Sequence, residues 1–290
     1  MAPLWRETFV SLKVRNYRLY FIGQAISLCG TWMQTMGQSW LVLKLTDSGV
    51  QLGFVTAAQF LPVLILAPWG GTIADRFPKR KILYLTQAMA GLLALALGIL
   101  VATGMVRLWM IYVLAALLGL VYAVDHPTRQ TFIVEMVGPN QLTNAVSLNS
   151  TQVNLARVAG PAIGGALIAT AGLTPLFLGN AASYIAVLAG LLMMRANELH
   201  PVSVAAGKGR LKQGFRYVQS NPVLRNTFLM LGIVGTLTYE FTVILPLFAR
   251  FTFHSEAGGF AGLAWPEASA PQSAAYILLA AERQPPPCFR

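Results

Sequence analysis

The chain has 290 residues, 56% hydrophobic and 11% charged, with 21 Lys and Arg against 10 Asp and Glu and a net charge of +11. Soluble globular proteins carry about 25% charged residues, so this composition excludes a soluble single domain, a disordered chain and a dedicated nucleic-acid-binding protein. At about 20 apolar residues per membrane span, with short loops between, the length holds roughly seven to nine spans and not twelve.

In chain order, a basic amphipathic stretch comes first and carries no cleavable signal-peptide pattern. Apolar runs then predict an all-α integral membrane protein of about seven transmembrane helices, over residues 17–43, 52–74, 82–103, 108–124, 142–171, 175–194 and 226–248. The first six belong to an N-terminal six-helix bundle, residues 1–194. Residues 195–225 are basic, polar and Gly-containing, as a cytoplasmic linker between bundles is, and residues 226–260 begin a second bundle with span seven. In residues 261–290 the longest apolar run is 274–281, and Pro266, Pro271, Pro285, Pro286 and Pro287 cluster there, so the segment cannot span. It reads as a frameshifted or aberrant tail, with the rest of a longer protein missing.

Lys and Arg in short loops set orientation. One side has Arg6, Lys13, Arg15, Arg18, Arg76, Lys79, Arg80, Lys81, Arg129, Arg195, Lys208, Arg210, Lys212, Arg216 and Arg225; the other has Lys44, Arg107 and Arg250. This asymmetry places the N-terminus and the linker in the cytoplasm. It also accounts for the basic charge without nucleic acid.

Between spans two and three the sequence is Gly71-Thr-Ile-Ala-Asp75-Arg76-Phe-Pro78-Lys79-Arg80-Lys81. A small residue there lets helices approach, and the charges in a tight turn can pair with each other or with helix ends. On charge alone it is a positive-inside turn; its spacing resembles motif A of the major facilitator superfamily, with Pro78 where that family usually has Gly. Span five contains Ala156-Arg157-Val-Ala-Gly160-Pro161-Ala-Ile-Gly164-Gly165, a packing seam of small residues with a helix-bending proline. It is similar to motif C, the antiporter motif of facilitator-type exporters, with Ala156 in place of the leading Gly. The stretches Asn16-Tyr-Arg18-Leu-Tyr20-Phe-Ile-Gly23-Gln24, Thr31-Trp32-Met-Gln34 and Asp125-His-Pro127-Thr-Arg129-Gln130 resemble the branch that contains the enterobactin exporter and macrolide-efflux-like proteins.

The resemblance covers residues 5–260. It implies a twelve-span fold of two six-helix bundles, of which this chain has the N-terminal bundle and one further span. It also implies a cavity opening alternately to each side and proton-coupled export of a small amphipathic drug- or siderophore-like molecule. Motif A would serve as a gate at the cytoplasmic face. Span four lacks the arginine of the family's motif B, residues 117–122 and those before them being uncharged.

Polar groups inside spans are costly, so their placement is informative. Gln24, Ser27, Thr31, Gln34 and Gln38 recur at steps of three or four on one face of span one, and Ser147, Ser150, Asn154 and Arg157 do so on span five. Either a helix-helix seam or a cavity wall explains both stripes. Arg157 is read as a structural ion pair or a coupling or substrate-binding group. Glu240, well inside span seven, is a proton-coupling candidate or a structural group. Asp125 and Arg129 are spaced for an ion pair if the helix continues, but Pro127 between them favours a turn or a fresh helix start. They form a fastening to motif A or a solvated turn, and are further coupling candidates.

Enzyme chemistry finds no support. No Gly-x-x-x-x-Gly-Lys-Ser/Thr phosphate loop or Gly-x-Ser-x-Gly elbow is present, and His126, His200 and His254 lie in separate loops without ligand spacing. Cys29 and Cys288 form no disulfide framework. No cofactor or metal is expected; the partners are the lipid bilayer, a small-molecule substrate and protons, with no obligate protein partner. The localisation is the inner membrane. Two rivals stay open, a non-functional transporter fragment and a seven-span receptor or scaffold.

Overall fold

The computed structural model describes residues 9–200 and 216–238, with single positions at 244 and 247. Glu240, residues 201–215 of the linker and the whole of residues 261–290 lie outside the described residues. A 3-10 turn at Val10–Lys13 leads into α1 (Arg15–Thr46), α2 (Gly49–Arg76), α3 (Lys79–Ala102), α4 (Leu108–Val137), α5 (Leu142–Ala171) and α6 (Leu173–Leu192), followed by α7 (Pro222–Thr238).

Local chemistry ends each helix where it stops. α1 closes on Asp47 in the left-handed region, with its N–H donating to the Leu43 carbonyl at 2.8 Å. α4 and α5 stop at Gly138 and Gly172, whose φ of 70° and 82° a side chain would strain.

Among the described residues five helices, α2 to α6, are long and apolar enough to cross a membrane, and the apolar runs predict seven spans over the whole chain. α1 has 32 residues, about 48 Å of helix, but a polar face lowers its hydropathy. That face is buried within the protein rather than turned to lipid: Gln24, Ser27, Gln34 and Gln38 are all buried. α7 is described over 17 residues, which leaves the seventh span untested by length.

The helices pack in a definite order. α2 lies on α4, α4 on α3, α3 on α6, α6 on α1, and α1 on α5. Exchanging helices one to three for four to six leaves this order unchanged, which is the pattern of two three-helix repeats. Glycines make the equivalent junctions close. Gly70 of α2 sits against the Ala123 carbonyl of α4, and a Cβ on Gly160 of α5 would lie 2.5 Å from Trp32 Cβ on α1.

The buried core divides into clusters near the two ends of the bundle and a smaller one between. One contains Tyr17, Tyr20, Phe132, Met136 and Leu191. The other contains Val42, Leu43, Leu52, Ile111 and Phe177. The middle cluster is built from Ala90, Ala94, Leu118 and Tyr184.

Candidate functional site

The structure corrects the expectation of a turn or a fresh helix start at Pro127. α4 runs unbroken through it to Val137. Proline has no N–H for the carbonyl four residues earlier, which is that of Ala123. Gly70 lies against this freed carbonyl. Tight packing there accommodates the missing bond, and Thr128 and Thr131 donate to carbonyls of the same helix.

A continuous helix places Asp125 and Arg129 one turn apart on the same face, and Arg129 Nη2 meets Asp125 Oδ2 at 2.5 Å. Arg129 Nε donates to the same oxygen at 3.1 Å. The other carboxylate oxygen accepts from Thr86 Oγ1 at 2.7 Å and from Gln87 Nε2 at 2.8 Å, both on α3. Arg129 Nη1 donates to Gln24 Oε1 on α1. Asp125 is 0% exposed and the Arg129 side chain 18%, so the pair is a largely enclosed polar node joining α1, α3 and α4. Four donors thus occupy the acceptor capacity of one carboxylate. Tyr20 packs edge-on to Phe132 beside the node, its ring centroid 6.2 Å away.

The polar stripe of α1 continues as a seam with α6. Asn180 Nδ2 donates to Gln34 Oε1 at 2.7 Å, and Thr31 lies 3.5 Å from the Tyr184 hydroxyl. The α5 stripe behaves differently. Ser147 and Ser150 are exposed and Asn154 half-buried, on the side of the helix away from its buried residues Ala145, Leu148, Gln152 and Ala156. Arg157 holds its guanidinium 5.0 Å above the Trp32 ring, a cation–π contact between α5 and α1.

The charged turn between α2 and α3 divides its residues between two helix ends. Lys79 Nζ binds Glu135 Oε1 of α4 at 2.6 Å, both groups buried. Arg80 donates to the carbonyls of Leu191 and Leu192, at 2.8 and 3.0 Å, and so caps α6. Asp75, Arg76 and Lys81 are exposed. Gly71, read from the sequence as the close-approach residue, has nothing within 4 Å of an added Cβ; the preceding Gly70 makes the contact. In the antiporter-like segment, Gly160, Pro161, Gly164 and Gly165 are buried, and a Cβ at Gly164 would meet ordinary contacts at 3.4 Å.

Sequence reasoning missed Thr86, Gln87, Asn180 and Tyr184. They are short polar insertions in apolar runs, Thr86 beside Gln87 and Tyr184 beside Ser183, without the repeat that marked spans one and five. The signal available was the cost of any buried polar group, which demands a partner on another helix. Among the described residues no cluster of His, Cys, Asp and Glu could hold a metal ion.

A family described as transmembrane secretion effector, within the major facilitator superfamily, matches residues 6–264. The chain is 27% identical over 237 residues to the staphyloferrin A transporter of Staphylococcus aureus, covering 81% of this chain and 60% of that protein. It is 29% identical over 251 residues to the multidrug efflux pump Tap of Mycobacterium tuberculosis, covering 82% and 59%. It is 25% identical over 248 residues to the enterobactin exporter of Shigella boydii, covering 85% and 56%. The chain thus spans about 60% of the length of the staphyloferrin A transporter and of Tap. In fold, it is similar to a bacterial homologue of the human lysosomal transporter Spinster, solved inward-facing and unoccupied, with a TM-score of 0.68 and 16% identity over 86% of this chain and 59% of that one.

Proposed function

The chain belongs to the transmembrane secretion effector family of the major facilitator superfamily, and from that premise we propose that the protein is a secondary transporter exporting a small amphipathic molecule of siderophore or drug type. It works by alternating access, one bundle rocking against the other, and is driven by protons. It lies in the inner membrane with its N-terminus in the cytoplasm, the orientation that the loop charges favour. Membership of a transporter family ranks this reading above a receptor or scaffold.

The observation that carries proton coupling is Asp125. It is a fully buried carboxylate held by Arg129 on its own helix and by Thr86 and Gln87 on α3. Protonation would remove its charge and one acceptor site, so at least one donor has to leave. Arg129 also binds Gln24 on α1, and its release loosens three helices together. The proton state of one residue is thereby linked to helix packing. The charged turn at Lys79 and Arg80 fastens the cytoplasmic ends of α3, α4 and α6 in one of the two arrangements.

The test uses the product of the complete gene in inverted membrane vesicles, with ethidium and staphyloferrin A as probes and an acid interior as the driving force. Accumulation that collapses with a protonophore is expected, and Asp125→Asn should abolish it while leaving gradient-free exchange. Full gradient-driven accumulation by Asp125→Asn would overturn the assignment. Glu240→Gln in the same vesicles decides whether the carboxylate of span seven shares the role.

A further inference from the structure

Three buried polar atoms around the Asp125–Arg129 pair have no hydrogen-bond partner among the described residues: Tyr20 Oη, Gln24 Nε2 and Gln87 Oε1. The residues are 2%, 1% and 1% exposed. Such atoms are expensive, because each has lost water and gained nothing in return. All three belong to residues that touch or adjoin one node. Gln24 and Gln87 bind the pair through their other amide atom, and Tyr20 lies one helical turn before Gln24 on α1, its ring against Phe132 of α4.

The amide orientations are fixed by chemistry. Gln24 must turn its oxygen to the Arg129 donor, and Gln87 must turn its nitrogen to the Asp125 acceptor; flipping either would set donor against donor or acceptor against acceptor. The remaining atoms are therefore a donor on Gln24, an acceptor on Gln87 and a hydroxyl on Tyr20 that can be either. A cation would meet the Arg129 charge and the Gln24 N–H groups. An anion would meet Asp125 and the Gln87 carbonyl. Small neutral molecules that both donate and accept suit all three, and buried water is the species that fills such sites in proteins.

We infer that the node between α1, α3 and α4 is a site for ordered water, held by Tyr20, Gln24 and Gln87 against the Asp125–Arg129 pair. Water there is bound to the free atoms of Tyr20, Gln24 and Gln87 and lies beside a carboxylate whose acceptor capacity is filled by four side-chain donors, ready to replace a donor that leaves; Tyr20 is a positioning residue for it. The link to proton delivery rests on the coupling role proposed for Asp125. The water site itself does not.

Tyr20→Phe tests the site in the complete gene product, since it keeps the ring against Phe132 and removes only the hydroxyl. An orphaned hydroxyl destabilises, so its deletion would raise the thermal midpoint; a hydroxyl bound to water loses a hydrogen bond, and the midpoint falls by a few degrees. A fall is expected, and a rise overturns the inference. Independently of folding in the variant, a structure of the wild type at a resolution that shows ordered water should contain density within hydrogen-bonding distance of Gln87 Oε1 or Tyr20 Oη. Its absence there overturns the inference as well. Proton-driven accumulation by Tyr20→Phe should shift its pH profile, a readout that a packing role alone would leave in place. If Asp125→Asn transports normally while density and midpoint behave as expected, the coupling assignment fails and the water site stands.

Discussion

Lys79, the first residue of α3, and Glu135, near the end of α4, form a 2.6 Å ion pair that is buried at both ends. The pair ties the charged turn between α2 and α3 to the end of α4, and His200 N–H donates to the Glu135 carbonyl at 2.8 Å, bringing the start of the linker to the same place. Removing one member leaves the other charged and desolvated. Lys79→Ala or Glu135→Ala should therefore destabilise the bundle by about 3–5 kcal/mol, whereas replacing both with Met and Leu should cost much less. Thermal unfolding of the two single variants and the double variant, compared as a cycle, reads the difference.

Arg129 makes two bonds to Asp125 and one to Gln24, a fork that an ammonium cannot reproduce. Arg129→Lys should keep the bundle folded but lose the Gln24 contact. Arg129→Met should leave Asp125 as a buried unpaired carboxylate and cost about 3–5 kcal/mol. Combining Arg129→Met with Asp125→Asn should recover much of that loss, which denaturation of the purified variants would detect.

The glycine pair in the charged-turn motif separates close packing from sequence pattern. Gly70→Ala forces a Cβ into the Ala123 carbonyl and should lower the thermal midpoint by several degrees, because backbone cannot step aside as a side chain can. Gly71→Ala meets nothing within 4 Å and should leave bundle stability unchanged or slightly raised. Equal loss in both variants would contradict the packing described.

The same contrast holds in the antiporter-like segment. Gly160→Ala brings a methyl within 2.5 Å of Trp32 Cβ and 2.9 Å of the Cys29 carbonyl, and should weaken the α1–α5 junction. Gly164→Ala meets its nearest neighbours at 3.4 Å and should be tolerated. Midpoints of detergent-solubilised variants, with Trp32 fluorescence as a local probe, check the order.

Asn180 and Gln34 share a 2.7 Å bond in the interior between α6 and α1. Asn180→Leu strands the Gln34 carbonyl and should cost about 1–3 kcal/mol, and Asn180→Leu with Gln34→Leu should come closer to neutral. A double loss as large as the sum of the single losses would show that the bond is not what the pair contributes.

Much of this fold was legible because a bilayer imposes few solutions. Apolar runs located α2, α3, α5 and α6 to within a few residues, since each must satisfy its backbone internally across the same thickness. α4 was read too short, as ending before Asp125, because local rules treat proline and a charge pair as a boundary. They carry no information about Gly70, which reaches the freed Ala123 carbonyl from another helix. The stripes on spans one and five were visible as periodicity, but periodicity does not say what a face meets. In α1 it meets Arg129 and Asn180; in α5 much of it stays exposed.

By itself, then, the sequence determined that this is a helical membrane protein of the facilitator type, which way its loops favour insertion, and which residues are too polar for lipid. Those properties depend on composition and short-range spacing, which any conformation of the chain retains. Only the tertiary structure decided that Lys79 answers Glu135, that Gly70 rather than Gly71 makes the close approach, and that Asp125 is closed in by α3. Each of these pairs residues on different helices, and packing geometry alone selects which polar or small residue comes within a few ångströms of another.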